Sequence, residues 1–278
     1  MIATIKETTN ILNKYNLLAK KKYGQNFLID INVVNKIVKT SGIDKDTGVI
    51  EIGPGIGGMT EVLCEKGGKV LCFEIDPDMV EVLRGEIKSD NIKIINEDFL
   101  KVDLNKEFHY FEGLEKIVVV SNLPYYVTTP IIMKLLEYDD KISSMYFMVQ
   151  KEVCDRLSAS PKTKEYGSLS VIIKLKGDCK KEFIVTRNSF YPAPNVDSAI
   201  VSIKFKENDC REDFNPKFTK FIQNIFEQKR KTIVNNICNN YNVTKEEFSK
   251  KMENIGYNPQ VRAEALSLED IKKIYALI

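Results

Sequence analysis

The stretch Val49-Ile50-Glu51-Ile52-Gly53-Pro54-Gly55-Ile56-Gly57-Gly58-Met59-Thr60 decides the fold. Three apolar residues around one acid read as a short strand. It runs into a glycine-rich turn, and a helix follows from about Thr60 to Lys66. Glycines let a backbone approach a ligand closely, and the N–H groups that open the helix point at it. Gly53 to Gly58 can be fitted to G-x-G-x-x-G, so the glycines alone do not choose the ligand. Glu51 says more. A carboxylate entering this loop repels a pyrophosphate and suits a cation.

Moving outward, Val70–Asp76 is a second strand ending in acid. Glu74 lies 21 residues beyond Gly53, where a carboxylate can accept hydrogen bonds from ribose hydroxyls. That serves a nicotinamide dinucleotide and S-adenosylmethionine alike, although only the second carries an ammonium and a sulfonium and no phosphate. Pro77 opens a helix over Asp78–Lys88. Ile92–Ile95 is a third strand, ending Asn96-Glu97-Asp98-Phe99-Leu100. Asp98 can accept from an adenine amino group and Phe99 can pack on the ring. An acidic strand end with a core aromatic fits equally well.

Ile117–Val120 reads as a buried central strand that stops at Ser121-Asn122-Leu123-Pro124-Tyr125. Open α/β sheets bind ligands at this edge. Asn122 offers donors and an acceptor, Pro124 stiffens the loop, and Tyr125 can lie flat against a planar ring. An amide beside a stacking surface suits a flipped adenine, and an ordinary strand-to-turn transition suits the same residues. Thr129 begins a helix to about Tyr138. Ser144–Val149 is a fifth strand, followed by a helix over Gln150–Leu157. Val171–Leu175 and Glu182–Thr186 read as strands, Phe190–Ser198 as a Pro-locked loop, and Ser198–Phe205 as the strand that closes the sheet.

Before the glycine loop, Gly24 allows a tight turn, and Gln25 and Asn26 present two amides beside Phe27 and Leu28. By spacing alone these amides cap a helix over Ile31–Thr40. Past Lys206-Glu207-Asn208-Asp209 the strand pattern gives way to helical stretches at Pro216–Asn239, Thr244–Ile255 and Ser267–Ile278. We therefore divide the chain into 1–206 and 207–278.

Lys and Arg number 41 against 39 Asp and Glu, giving a net charge of +2 over 278 residues. That permits a nucleic-acid partner only if charge segregates, as clusters at Lys20–Lys22, Lys180–Lys181 and Lys229–Lys231 suggest. Six scattered cysteines and the single His109 form no metal-ligand pattern. No run approaches about 18 apolar residues. The expectation is a reduced, cytoplasmic, soluble protein with no metal and no membrane partner.

In order, the chain carries K-K-x-G-Q-N-F-L, E-I-G-P-G-x-G-x-x-T, E-I-D, E-D-F, S-N-L-P-Y-Y, Q-K-E-V, Y-G-S-L-S and F-x-P-x-P-x-V-D-S. The set resembles the ribosomal small-subunit RNA adenine dimethyltransferases (the KsgA or RsmA family), and Arg262–Ser267 resembles that family's helical domain. The resemblance implies a class I methyltransferase fold, a Rossmann-like and mostly parallel α/β sheet with a small all-helical C-terminal domain that grips RNA. It implies S-adenosyl-L-methionine as methyl donor, held by Gln25, Asn26, Leu28, Gly53, Gly55, Glu74, Ile75, Asp98, Phe99 and Asn122. It implies two methylations on N6 of each of two adjacent adenosines in 16S rRNA, within an immature small ribosomal subunit, by a monomeric enzyme. Met59 stands where the family usually has Leu. In the expected catalytic loop, the Asn122 side-chain carbonyl and the Leu123 backbone carbonyl accept the amino hydrogens. Tyr125 stacks on the base, and Phe190 or Tyr191 closes the other face. The erythromycin-resistance methyltransferases, acting on large-subunit rRNA, share much of the pattern but commonly carry Asn-Ile-Pro. A non-catalytic RNA-binding assembly factor is the other alternative.

Overall fold

The computed structural model describes residues 1–20, 23–206 and 215–278. Lys21, Lys22, Cys210 and most of the expected boundary at 206–212 lie outside the described residues. The strands are β1 (Phe27–Leu28), β2 (Thr47–Ile52), β3 (Lys69–Phe73), β4 (Ile92–Ile95), β5 (Lys116–Asn122), β6 (Ser144–Gln150), β7 (Gly177–Val185), β8 (Phe190–Tyr191) and β9 (Ser198–Phe205). Seven of them form one sheet in the order β4-β3-β2-β5-β6-β9-β7. The pairs β3–β4, β2–β3, β2–β5 and β5–β6 are parallel, and β9 runs antiparallel to β6. β2 is buried along its whole length, as a central strand covered on both faces must be.

Strand order reverses between β2 and β5. The chain leaves β2 for β3 and β4 on one side and returns to β5 on the other. Their ladder runs from Thr47↔Lys116 to Ile50↔Val119. Beyond it, the Ser121 hydroxyl donates to the Ile52 carbonyl and bridges the two strand ends. A reversal point opens a crevice at the carboxyl edge, because the connections on either side leave in opposite directions.

The helices of this part are α1 (Ile5–Lys14), α2 (Ile31–Ser41), α3 (Thr60–Lys66), α4 (Pro77–Glu86), α5 (Thr128–Leu135) and α6 (Lys151–Leu157). Asp30 caps α2 by accepting from the Asn32 and Val33 N–H groups, so this cap is Asp30 and not Gln25 or Asn26. Asp76 caps α4 in the same way, and Pro77 takes its first position. One connected core gathers Ile11, Val34, Ile37, Leu63, Val82 and Leu83 with Val118 and Val120 of β5.

Between α3 and β3 the chain makes a close crossing. A Cβ on Gly68 would sit 2.3 Å from the Lys45 carbonyl oxygen and 2.9 Å from Leu114 Cδ2. The first obstacle is backbone and cannot swing away. Gly68→Ala is expected to lower unfolding free energy by about 1–3 kcal/mol or more. Urea midpoints measure this, and an unchanged midpoint would show that the crossing relaxes freely.

The second part of the chain corrects one expectation. Val171–Leu175 is not a strand but the middle of α7 (Ser168–Lys176). Leu169, Val171, Ile172, Ile173 and Leu175 are all buried there. An unbroken buried run within a helix hides the 3.6-residue signature, and a short apolar run then imitates a buried strand. The helical stretch Pro216–Asn239, whose pattern left room for a break, is two helices, α8 (Pro216–Ile225) and α9 (Ile233–Asn240), with Thr232 capping the second. α10 (Lys245–Asn254) and α11 (Leu268–Tyr275) follow, α11 opened by a reciprocal Ser267–Asp270 capping box.

By compactness the chain forms two units, Met1–Cys154 with Lys180–Phe205, and Asp155–Cys179 with Lys206–Ile278. The linear cut at 206/207 therefore misassigns residues 155–179 as a matter of packing. α7 is largely buried and beds against α8 and α11, which no local pattern announces. In this unit Lys229, Arg230 and Lys231 are exposed, Lys229 donates to the Tyr166 carbonyl, and Arg262 lies 3.8 Å from Glu264.

Candidate active site

At the carboxyl edge between β2 and β5 lies a cleft of about 230 Å³. It is built entirely from the first unit. Its floor is the glycine loop, where Gly53 and Gly55 hold φ of 68° and 58°. A side chain in that left-handed region is strained, and a Cβ on Gly55 would meet the Phe27 ring at 3.2 Å. The loop thus needs glycine for its own geometry and leaves bare backbone facing the cleft.

Four carboxyl residues line the cleft, Glu51, Glu74, Glu97 and Asp98, and no Lys or Arg does so among the described residues. Glu51 is 1% exposed and accepts from the Thr60 hydroxyl at 2.7 Å and the Cys72 thiol at 3.7 Å. Burial pushes its carboxyl up to about 8, against the pull of those two donors. The sequence reading gave Glu51 a fixed negative charge. Buried between two neutral donors, it instead favours its protonated form near neutrality.

Glu74 accepts the Gly55 N–H at 3.0 Å and the Asp76 N–H at 2.9 Å. Burial raises its pKa too, and those amides oppose the shift. Each carboxylate oxygen keeps a lone pair for a hydroxyl ligand. On the next strand end, Asp98 caps the 3-10 turn Phe99–Lys101 through the Leu100 N–H. Phe99 is buried edge-on to Phe73 at 5.3 Å and presents to the cleft. Ile75 is 42% exposed and forms part of the wall.

The amide-rich segment crosses the cleft mouth. Gln25 accepts from the Lys20 N–H and donates to Asp76, and the Lys20 ammonium bridges Asp76 and Asp78. Lys20, expected in a basic surface cluster, is spent here. Asn26 donates to the Gly24 carbonyl, while its own carbonyl accepts from the Asn122 side chain at 3.1 Å. That bond spans 96 residues and points Asn122 Oδ1 the other way. Among the described residues no donor reaches Oδ1, so an acceptor is kept for a ligand. Leu123 follows, its N–H held by the Met148 carbonyl. Tyr125 lines the cleft with its hydroxyl 2.8 Å from that of Ser198.

Phe190 is not brought to the cleft. It is 3% exposed, pairs with Leu28 in the β1–β8 ladder and packs into the core. Its side chain therefore cannot be a face of the cleft as described, and Tyr191 beside it is 41% exposed. Tyr126, 59% exposed, does line the cleft, as do Tyr23 and Leu100. His109 sits exposed in a 3-10 turn outside it. Thr60 and Ser198 close two of the motifs, but their bonds to Glu51 and Tyr125, and that of Cys72 to Glu51, are visible only in the folded chain. Among the described residues no group of three or more His, Cys, Asp or Glu could hold a metal ion. No described helix is long and apolar enough to cross a membrane.

The sequence model of the family "Ribosomal RNA adenine dimethylase" matches residues 16–278. The chain belongs to that family. A ribosomal RNA small subunit methyltransferase A from Streptococcus pneumoniae is 44% identical over 98% of this chain and 96% of its own length. A protein of the same name from Staphylococcus haemolyticus is 41% identical over 99% and 95%. Among solved structures, a dimethyladenosine transferase from Plasmodium falciparum superposes with a TM-score of 0.75 at 24% identity, over 89% of this chain and 95% of that one. The 23S rRNA methyltransferase ErmE superposes at 0.64 with 23% identity, over 90% and 98%. These two likenesses establish the class I, Rossmann-like fold with its helical C-terminal part. As a member of the adenine dimethylase family, the chain is a methyltransferase.

Proposed function

We propose that this protein transfers methyl groups from S-adenosyl-L-methionine to N6 of two adjacent adenosines in a hairpin near the 3′ end of 16S rRNA, giving dimethyladenosines. The observation that carries the reading is a cleft lined by four carboxyl residues and no base, opening beside Asn122-Leu123-Pro124-Tyr125. Such a lining suits a cationic nucleoside and disfavours a pyrophosphate. The donor set fits: Glu74 and Asp98 for hydroxyl and amino groups, Phe99 and Ile75 for a base, and the Gly53–Gly55 backbone for close approach. Gln25, Asn26, Leu28 and Asn122 complete the residues that would hold the donor. Bound there, it supplies a methyl group made electrophilic by a sulfonium.

The chain's own residues do the rest. Adenine N6 is a weak nucleophile because its lone pair is delocalised into the ring. Asn122 Oδ1 and the Leu123 carbonyl accept its two hydrogens, which favours a pyramidal nitrogen and aims the lone pair along one line. Tyr125 stacks on the base, an interaction worth about 1–3 kcal/mol. Its bond to Ser198 keeps the ring from turning. Fixed geometry replaces a strong base, and positioning is the larger contribution to the rate.

The exposed Lys229-Arg230-Lys231 run and Arg262 give residues 207–278 the means to grip phosphate. We place the substrate in an immature small subunit and the enzyme in the cytoplasm as a monomer. The names carried by the 41–44% identical relatives favour the small subunit over the large one. The test incubates the protein and labelled donor with small subunits lacking this modification, beside intact large subunits. Dimethyladenosine in small-subunit rRNA is the expected product. Label confined to large-subunit rRNA overturns the substrate. Tight subunit binding without label leaves an assembly factor.

A further inference from the structure

Lys134 stands in the last turn of α5, the helix that follows directly from the Asn122–Tyr126 loop. Its ammonium does not turn to solvent. It donates to three backbone carbonyls of one short segment: Phe99 at 2.7 Å, Leu100 at 3.1 Å, and Val102. The same nitrogen lies 5.1 Å from the centre of the Phe99 ring. An ammonium has three protons, and all three are used. The segment it grips is the 3-10 turn Phe99–Lys101, whose start is capped by Asp98. Asp98, Phe99 and Leu100 are cleft wall, and Asn122–Val127 is the wall opposite them in sequence order.

We infer that Lys134 is a positioning residue for the methyl donor, tying the Asp98–Leu100 wall to the helix that follows the Asn122–Tyr126 loop so that Asp98 and Phe99 are held where the donor's base would meet them. The inference rests on reading the cleft as the donor site. The physical argument is one of satisfaction. Three carbonyls converge on one point, and a 3-10 turn this short has few internal bonds to hold it. Remove the ammonium and the Phe99 carbonyl keeps only the Val102 N–H at 3.2 Å, while those of Leu100 and Val102 lose their side-chain donor and must turn toward water, at the expense of the turn. Phe99 and Asp98 move with it. Lys134 also meets Phe99 through the cation–π contact, so ring and backbone are fixed by one group. No other side chain in the described residues is bonded to these three carbonyls. Burial lowers the Lys134 pKa, and the surrounding charges of Asp98, Glu137, Asp103 and Glu97 oppose that shift by favouring the protonated form.

The experiment compares wild type, Lys134→Met and Lys134→Arg. Methionine keeps an unbranched stem and lacks every donor. Arginine keeps the charge and donors. Donor affinity is read by calorimetry with S-adenosylhomocysteine, where stoichiometry reports the folded fraction and Kd reports the site. Steady-state rates are taken with small subunits. Lys134→Met should weaken Kd and raise KM for the donor about tenfold, with KM for the RNA substrate within twofold and kcat at saturating donor within about threefold. Lys134→Arg should recover most of the affinity. A merely destabilised fold would instead lower stoichiometry and kcat while leaving Kd unchanged. Donor affinity of Lys134→Met within twofold of wild type overturns the inference, and so does an equal loss in both variants, since the position and not its donors would then matter. If the wild type itself fails to bind, the donor reading of the cleft fails, which is a separate result.

Discussion

Asn122→Ala is expected to lower kcat by at least about 100-fold while donor affinity changes by less than about threefold. Each tenfold in rate is about 1.4 kcal/mol, so the loss is near 3 kcal/mol. Two jobs end with the one amide. Oδ1, the acceptor that no described donor occupies, is gone from the face of the cleft. The Nδ2 bond that holds the Asn26 carbonyl at 3.1 Å is gone as well. Losing the first misaims the base nitrogen, and misplacement of this kind alone costs about 100-fold. Losing the second relaxes only one of several ties on the Gln25–Asn26 segment, because Gln25 keeps its bonds to Asp76 and the Lys20 N–H. Single-turnover methyl transfer, beside donor binding by calorimetry, separates the two. Turnover within threefold of wild type would remove Asn122 from its assigned role.

Glu51→Gln is expected to change how stability depends on pH. In the unfolded chain the carboxyl titrates near its ordinary 4.5, and in the folded protein near 8. Between those values the native state binds more protons than the unfolded one. Stability therefore falls as pH rises, by at most about 1.4 kcal/mol per pH unit from this group. Its contribution is complete below the unfolded value and is lost as pH climbs through the folded one. Glutamine does not titrate, and its carbonyl can still accept from Thr60. The variant should match wild type near pH 4.5 and outlast it increasingly from pH 6 to 8.5. Taking the difference between the two proteins cancels Glu74 and the surface acids. Urea midpoints at several pH values measure it, and parallel curves would mean that Glu51 is ionised throughout.

Much of this protein was legible in its residues. The apolar run before Gly53 lies in β2 as expected, and Glu74 follows directly on the end of β3, because hydrophobic strands and glycine turns are local signals. Asn122 and Tyr125 stood out because a strand that stops at Asn-Leu-Pro-Tyr is itself an unusual local event, and both line the cleft. α7 was misread because its unbroken buried run over Leu169–Ile173 hides the periodicity, and Phe190 was expected at the cleft because a two-residue ladder, in which it pairs with Leu28 162 residues away, has no signature of its own.

By itself the sequence determined the strands before the glycine loop and before Glu74, the glycine loop itself and the turn at Asn122–Tyr125, since each depends on neighbours within a few residues. Tertiary structure alone decided their state and their supports. Whether Glu51 carries a charge depends on burial and on Thr60 and Cys72, which only the folded sheet brings to it. That Lys134 grips the Phe99–Val102 carbonyls, and that Tyr125 leans on Ser198, follow from contacts across 32 to 73 residues. Charge state and rigidity are properties of an environment, and an environment exists only once distant segments have met.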